Sequence, residues 1–134
     1  MEVLQVSEQK VYLSDLIGTP FKFQETDCWW LAREVFRRFG IDIPEYAVSR
    51  KIFNCNLKNM PKIIEEKTDW AEHAIPRIPC MIAMQFGLPF YHHIGVYIGN
   101  NKFIHTSKVR GGVTIESLDN VIYAKRKFYT FNGN

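Results

Sequence analysis

Residues 28–39 place their hydrophobic and polar side chains with the period of an α-helix. Apolar side chains recur three and four residues apart, and charged side chains fill most of the positions between them. The apolar positions are Leu31, Ala32, Val35, Phe36 and Phe39. Thr26 or Asp27 can cap the start of this helix by accepting a backbone hydrogen bond, and Gly40 can end it in a left-handed turn. The pattern therefore predicts an amphipathic helix with defined ends.

The pattern changes to the two-residue period of β-strands near residue 78. Before that point a second helix is predicted for Pro61–Ala71, because proline is tolerated in a first helical turn. Gly99-Asn100-Asn101 is typical of a tight hairpin turn. The predicted strands are Ile78–Phe86, His92–Ile98, Lys102–Thr106, Gly112–Glu116 and Val121–Phe131. Helices followed by an antiparallel sheet predict an α+β fold.

Length and composition narrow the class of protein. A chain of 134 residues without repeats or linkers predicts a single domain over 1–134, and 46% hydrophobic residues exclude whole-chain disorder. The net charge of +3 is weak support for an acidic partner, so we do not expect nucleic-acid binding. No stretch approaches the roughly 18 apolar residues of a membrane span, and the N-terminus lacks the apolar run of a signal peptide.

Three cysteines, an odd number, do not make a disulfide framework, so we expect reduced thiols. Cys55, His73, Cys80 and His92 could be combined into a zinc site, but no Cys-x-x-Cys or His-x3-His spacing supports one. We therefore expect neither a metal nor another cofactor.

Cys28 lies in the predicted first turn of the helix, where unpaired amides and the helix dipole favour a thiolate. A nucleophilic cysteine also needs a base and a group that orients the base. His93 and His105 could supply both, because they lie on neighbouring strands of the predicted hairpin. Buried structural roles for all three residues stay open at this point.

Four motifs in succession resemble those of the NlpC-type cell-wall cysteine peptidases. They are Thr26-Asp27-Cys28-Trp29-Trp30-Leu31, Phe39-Gly40-Ile41-Asp42-Ile43-Pro44, His93-Ile94-Gly95-Val96-Tyr97-Ile98-Gly99 and Lys102-Phe103-Ile104-His105. Ile17-Gly18-Thr19-Pro20-Phe21 resembles the segment that precedes the cysteine in that family. The resemblance covers roughly residues 13–118 and implies a papain-like fold, with the cysteine at the start of a central helix packed on a C-terminal antiparallel sheet.

The resemblance also implies the chemistry. Carried over to this chain, it implies a catalytic set in which Cys28 is the nucleophile, His93 the general base and His105 the polar residue that orients it. The family cleaves peptides of peptidoglycan, commonly between D-glutamate and a diamino acid, through a thioester intermediate. Backbone amides at the helix start, including that of Cys28, would form an oxyanion hole.

Trp29 directly after the cysteine, and the segment 41–46 that follows the helix, are most similar to the branch found in bacteriophage and prophage tails. This similarity implies a protein made in the bacterial cytoplasm and delivered in a phage tail, with other tail proteins as partners. The missing signal peptide agrees with that expectation.

The chain also departs from the family pattern. Phe21 stands where a tyrosine is usual, and Trp30 stands where a small residue is usual. A Gly-Asp turn before the first long strand is replaced by residues 77–80. Phe21, Trp29 and Trp30 are candidates for substrate contacts, and core packing is the favoured role of the tryptophans. These departures keep open a structural role at the tail tip with little or no hydrolysis, or the same chemistry on another acyl substrate.

Overall fold

The computed structural model describes residues 4–6, 9–22, 25–44, 69–85, 87 and 93–132. Within them a helix packs against an antiparallel sheet, which confirms the predicted α+β class. The elements are β1 Leu4–Val6, β2 Gln9–Val11, α1 Cys28–Arg38, β3 Trp70–His73, β4 Cys80–Gln85, β5 His93–Gly99, β6 Lys102–Ser107, β7 Gly112–Ser117 and β8 Lys125–Phe131. In this part of the chain no helix is both long enough and apolar enough to cross a membrane.

Helix α1 forms over the residues that the apolar pattern predicts. Its apolar face is buried against the sheet, and Gly40 follows it with φ +84°, the left-handed conformation expected after a helix end. Arg38 in the last turn donates to the Tyr12 carbonyl at 2.9 Å and pairs with Asp15. The helix is thereby tied to the N-terminal segment as well as to the sheet.

The main sheet has six strands in the order β3-β8-β4-β5-β6-β7, and every neighbouring pair is antiparallel. Strands β5 and β6 are joined by the predicted tight turn, in which Asn100 and Asn101 have φ of 53° and 60°. Positive φ at both central positions is what a two-residue hairpin requires, and asparagine tolerates it better than most residues. This turn brings the two histidine-bearing strands side by side.

The central strands of the sheet, β4 and β5, are buried on both faces. On the face toward α1, residues of the sheet and helix form a helix-side core that includes Cys28, Trp29, Met81, Ile94 and Val96. The opposite face carries a far-side core of Cys80, Ile82, Met84, Phe103, Leu118, Tyr123 and Phe128. Strand β4 contributes alternate residues to the two cores, which explains why its sequence is almost continuously apolar.

The order of elements is less simple than predicted. The hairpin β1–β2 and strand β3 all precede residue 78, so strands are not confined to the C-terminal part. The predicted helix 61–71 falls mostly outside the described residues, and its last positions, Trp70 and Ala71, belong to β3. These residues are strand because they pair with Phe131 and Thr130 of β8, a contact that no local pattern reveals. Residues Val121–Tyr123 form a 3-10 turn before β8 and not the start of a long strand.

Candidate active site

Cys28 is the first residue of α1, and Asp27 fixes that start. The Asp27 side chain accepts a hydrogen bond from the Trp30 amide at 2.9 Å, and its carbonyl accepts from the Leu31 amide at 3.0 Å. Of the two predicted caps, Asp27 is therefore the one used. Thr26 instead donates its hydroxyl to the Pro20 carbonyl at 2.6 Å, which holds the preceding segment against the helix start.

Cys28 is 5% exposed, and burial raises the pKa of its thiol to about 12. The Asp27 carboxylate acts in the same direction, while the backbone amides of Cys28, Trp29 and Ile94 act against it. The predicted thiolate is therefore wrong for the resting protein, because loss of solvation outweighs the amides at the helix start. The contact with the Ile94 amide places the Cys28 sulfur beside the start of β5, because Ile94 directly follows His93, the first residue of that strand.

His93 and His105 are joined by a hydrogen bond between Nε2 of His93 and Nδ1 of His105 at 2.8 Å. Both side chains are buried, and the His105 ring packs against Phe103 and Tyr123. Gly95 permits this close approach of β5 and β6, because a Cβ at Gly95 would lie 3.2 Å from the His105 Cβ and 3.0 Å from a backbone oxygen. The structure thus brings the two predicted histidines into one buried pair.

Glu116 on β7 extends the pair into a longer chain of polar contacts. Its Oε2 lies 2.5 Å from Nε2 of His105, and it accepts from the Tyr123 hydroxyl at 3.0 Å. Arg110 Nε lies 3.1 Å from the same oxygen. None of these three residues was predicted from the sequence. In the register of β6 and β7, His105 pairs with Thr114, and Glu116 lies two residues further along β7 on the same face. With that register known, strand alternation would have indicated Glu116 as a neighbour of His105.

Burial lowers the pKa of His105, and the Arg110 charge adds to this effect, while Glu116 opposes it. His105 is accordingly neutral near pH 7. Burial alone would raise the pKa of Glu116, but hydrogen bonds with His105 and Tyr123 and the Arg110 charge lower it. Glu116 is therefore an ionised carboxylate that can only accept hydrogen bonds.

The segment before the helix docks on β7. The Gly18 amide donates to the Val113 carbonyl, and the Val113 amide donates to the Thr19 carbonyl, both at 2.9 Å. Gly112 is required for this approach, since a Cβ there would lie 2.2 Å from the Thr19 oxygen. This contact gives the Gly18-Thr19-Pro20 motif its physical role, which is to hold the chain that leads to Cys28 beside the strand that carries Glu116.

The remaining predicted site residues differ in exposure. Trp29 is completely buried in the helix-side core, so its ring offers a substrate no surface. Phe21 and Trp30 are partly exposed, and Trp30 also packs against that core. Their predicted substrate contacts stay predictions.

The zinc alternative involved four residues on different parts of the chain. Cys80 is buried in the far-side core, and His73 Nε2 lies 2.7 Å from the Thr130 hydroxyl. Cys55 and His92 lie outside the described residues. Among the residues that are described, no three His, Cys, Asp or Glu side chains are grouped to hold a metal ion.

Comparison with known proteins identifies a relative and a family. A probable endopeptidase NlpC homolog from Haemophilus influenzae is 56% identical over 123 residues, which cover 84% of this chain and 54% of the relative. The chain thus spans about half the length of that relative. Residues 18–131 match the NlpC/P60 family, a range that includes α1, the histidine pair and Glu116. Because the match extends over most of its length, the chain belongs to the NlpC/P60 family.

Proposed function

We propose that this chain is a cysteine peptidase that hydrolyses stem peptides of peptidoglycan, with Cys28 as nucleophile and His93 as base. The observation that carries the proposal is the placement of the Cys28 sulfur beside the Ile94 amide, one residue from the hydrogen-bonded His93–His105 pair. Family membership and the endopeptidase named among its relatives support a peptidase reaction. A papain-like arrangement of helix and sheet is part of the same proposal.

Acylation begins with the neutral thiol. Nε2 of His93 is engaged with His105, so Nδ1 of His93 receives the Cys28 proton as the sulfur attacks the carbonyl carbon of the scissile amide. The Trp30 amide already donates to Asp27, and we therefore assign the amides of Cys28 and Trp29 to the developing oxyanion. The carbon–nitrogen bond then breaks, and His93 passes the proton to the leaving amine.

Deacylation uses the same groups in reverse. A water molecule gives a proton to His93 and attacks the thioester carbon. The carbon–sulfur bond breaks, the sulfur recovers the proton from His93, and the carboxylic acid product leaves. The raised pKa of Cys28 fits this cycle, because a buried thiolate is a good base and takes its proton back readily once the bond breaks.

The bond that we propose as the target joins D-glutamate to a diamino acid, the bond that the family resemblance implies. The partly exposed rings of Phe21 and Trp30 flank the helix start in sequence and are our candidates for substrate contacts. We further propose that the chain acts as a phage or prophage tail component, which mass spectrometry of particles purified from the encoding strain would test directly.

A second candidate is a structural tail-tip protein with the same fold and little turnover. The 5% exposure of Cys28 and the bulky Trp30 beside it favour this role, because both restrict access to the sulfur. The two candidates differ in whether the folded protein cleaves a cell-wall substrate at all.

The deciding experiment incubates purified protein with isolated cell-wall sacculi and follows released muropeptides by mass spectrometry. Wild type should produce new peptide ends, and Cys28→Ala should produce at least about a thousandfold fewer. Cys80→Ala is the matched control, because it removes the other described thiol from the far-side core and should leave the cleavage rate within about twofold. Equal cleavage by Cys28→Ala, or none by wild type, would overturn the proposal.

A further inference from the structure

We propose that Glu116 is a positioning residue that fixes the tautomer of His105 and, through it, presents Nδ1 of His93 to the Cys28 thiol. This inference deepens the proposed function and rests on it for the role of His93. It starts from a continuous line of contacts: Nε2 of His93 to Nδ1 of His105 at 2.8 Å, and Nε2 of His105 to the Glu116 carboxylate at 2.5 Å.

The direction of each hydrogen bond follows from the carboxylate. An ionised Glu116 has no proton to donate, so Nε2 of His105 must carry the hydrogen between them. Neutral His105 then has a lone pair at Nδ1, which accepts a hydrogen from Nε2 of His93. A neutral His93 with its hydrogen on Nε2 has its lone pair on Nδ1. One carboxylate thereby decides which nitrogen of His93 acts as the base.

The carboxylate is itself held in place by two donors on the same oxygen. Tyr123 is 2% exposed, and its hydroxyl donates to Oε2 of Glu116 at 3.0 Å. Arg110 contacts the same oxygen at 3.1 Å and also donates to the Tyr123 hydroxyl at 3.2 Å. The Arg110 side chain is 38% exposed, so solvent weakens its ion pair, and the buried Tyr123 is the firmer support.

Glu34 on α1 supplies a matched control for a purely structural carboxylate. Its side chain is 18% exposed against 17% for Glu116, and it is paired with Arg37 and Arg38. Glu34 forms ion pairs with arginines on its own helix, whereas Glu116 contacts His105. Loss of Glu34 should lower the stability of the protein without changing the tautomer of any histidine.

The test measures histidine tautomers by NMR in protein labelled with ¹⁵N-histidine. The chain has four histidines, so His73→Gln and His92→Gln variants suffice to separate the His93 and His105 signals from the others. Wild type and Glu34→Ala should both carry the proton on Nε2 of His93 and of His105. Glu116→Ala should populate the Nδ1-protonated form of His105, and Glu116→Gln, which keeps an acceptor oxygen, should restore most of the native tautomer.

Kinetics give a second readout. Glu116→Ala should lower kcat for stem-peptide hydrolysis by about tenfold to a hundredfold with little change in KM, because Glu116 acts through His105. A proton on Nδ1 of wild-type His105 would overturn the proposal even if Glu116→Ala failed to fold. So would a native tautomer in folded Glu116→Ala. If wild type hydrolyses nothing, the proposed function fails, while the tautomers still decide the role of Glu116.

Discussion

Cys28 and Cys80 are both buried, and burial raises the pKa of each thiol to about 12. Their surroundings differ. Cys80 begins β4 and lies among aliphatic and aromatic side chains of the far-side core, where the Arg77 backbone is the group that opposes the shift. Cys28 begins a helix, receives three backbone amides and faces the strand end that carries His93.

The two thiols show that protonation in the resting protein does not identify a nucleophile. Burial and the direction of the pKa shift leave them nearly equivalent, and the difference comes from the groups that can accept the proton and stabilise the charge during attack. The group that we propose for this role at Cys28 is the chain of contacts from His93 through His105 to Glu116, because the Cys28 sulfur lies beside the amide of Ile94, the residue after His93. Three changes test how far this distinction holds.

The largest effect is expected from removing the base. His93→Gln keeps a polar side chain of similar size but cannot take a proton, so we expect cleavage of stem peptides to fall about a thousandfold. The measurement is muropeptide release from sacculi under matched conditions. His73→Gln is the control. His73 lies on the edge strand β3, which β8 and β4 separate from β5, and it is hydrogen-bonded to Thr130. The cleavage rate of this variant should stay near that of wild type. Similar rates for both variants would remove the distinction between the two thiols.

An intermediate effect is expected in alkaline solution. Because folding raises the pKa of each thiol from 9.0 to about 12, the stability that this shift represents is complete below pH 9 and is lost as the pH rises towards 12. Each thiol changes the unfolding free energy by up to about 1.4 kcal/mol per pH unit in that window. The unfolding free energy of Cys80→Ala, measured with urea, should therefore fall less steeply with pH than that of wild type, by about that amount. Parallel curves would show that Cys80 ionises normally.

The smallest effect is expected from the charge beside Cys28. Asp27→Asn keeps an oxygen that caps the helix and removes the carboxylate that raises the pKa of Cys28. Alkylation of Cys28 by iodoacetamide at mildly alkaline pH should become about two- to tenfold faster, as followed by mass spectrometry. Asp27→Ala separates charge from capping, because it should also lose about 1 kcal/mol of stability. An unchanged rate in Asp27→Asn would show that the Asp27 charge does not raise the pKa of this thiol.

The local features of the site could be predicted from the sequence. The apolar spacing located α1, Asp27 was one of two predicted caps, and Asn100-Asn101 indicated the turn that pairs the histidine strands. Each depends on residues within a few positions of one another. Local backbone preferences act over that range, so short patterns carry the information.

The features that escaped prediction all depend on distant pairing. Trp70 and Ala71 are strand because β8 lies beside them, some 60 residues later. Glu116 meets His105 because the register of β6 and β7 places it diagonally across the pair. The expected thiolate was wrong for the same reason: a helix start favours the charge, but the sheet packed over Cys28 removes the water that would stabilise it.

The sequence by itself determined the helix, its cap, the hairpin and the residue types that can carry out thiol chemistry, because those follow from spacing and side-chain chemistry. Only the tertiary structure decided which groups surround the thiol, how the histidines are joined and that a glutamate ends their chain. Register and burial are properties of the packed sheet, and a change of one residue in register would turn Glu116 to the opposite face.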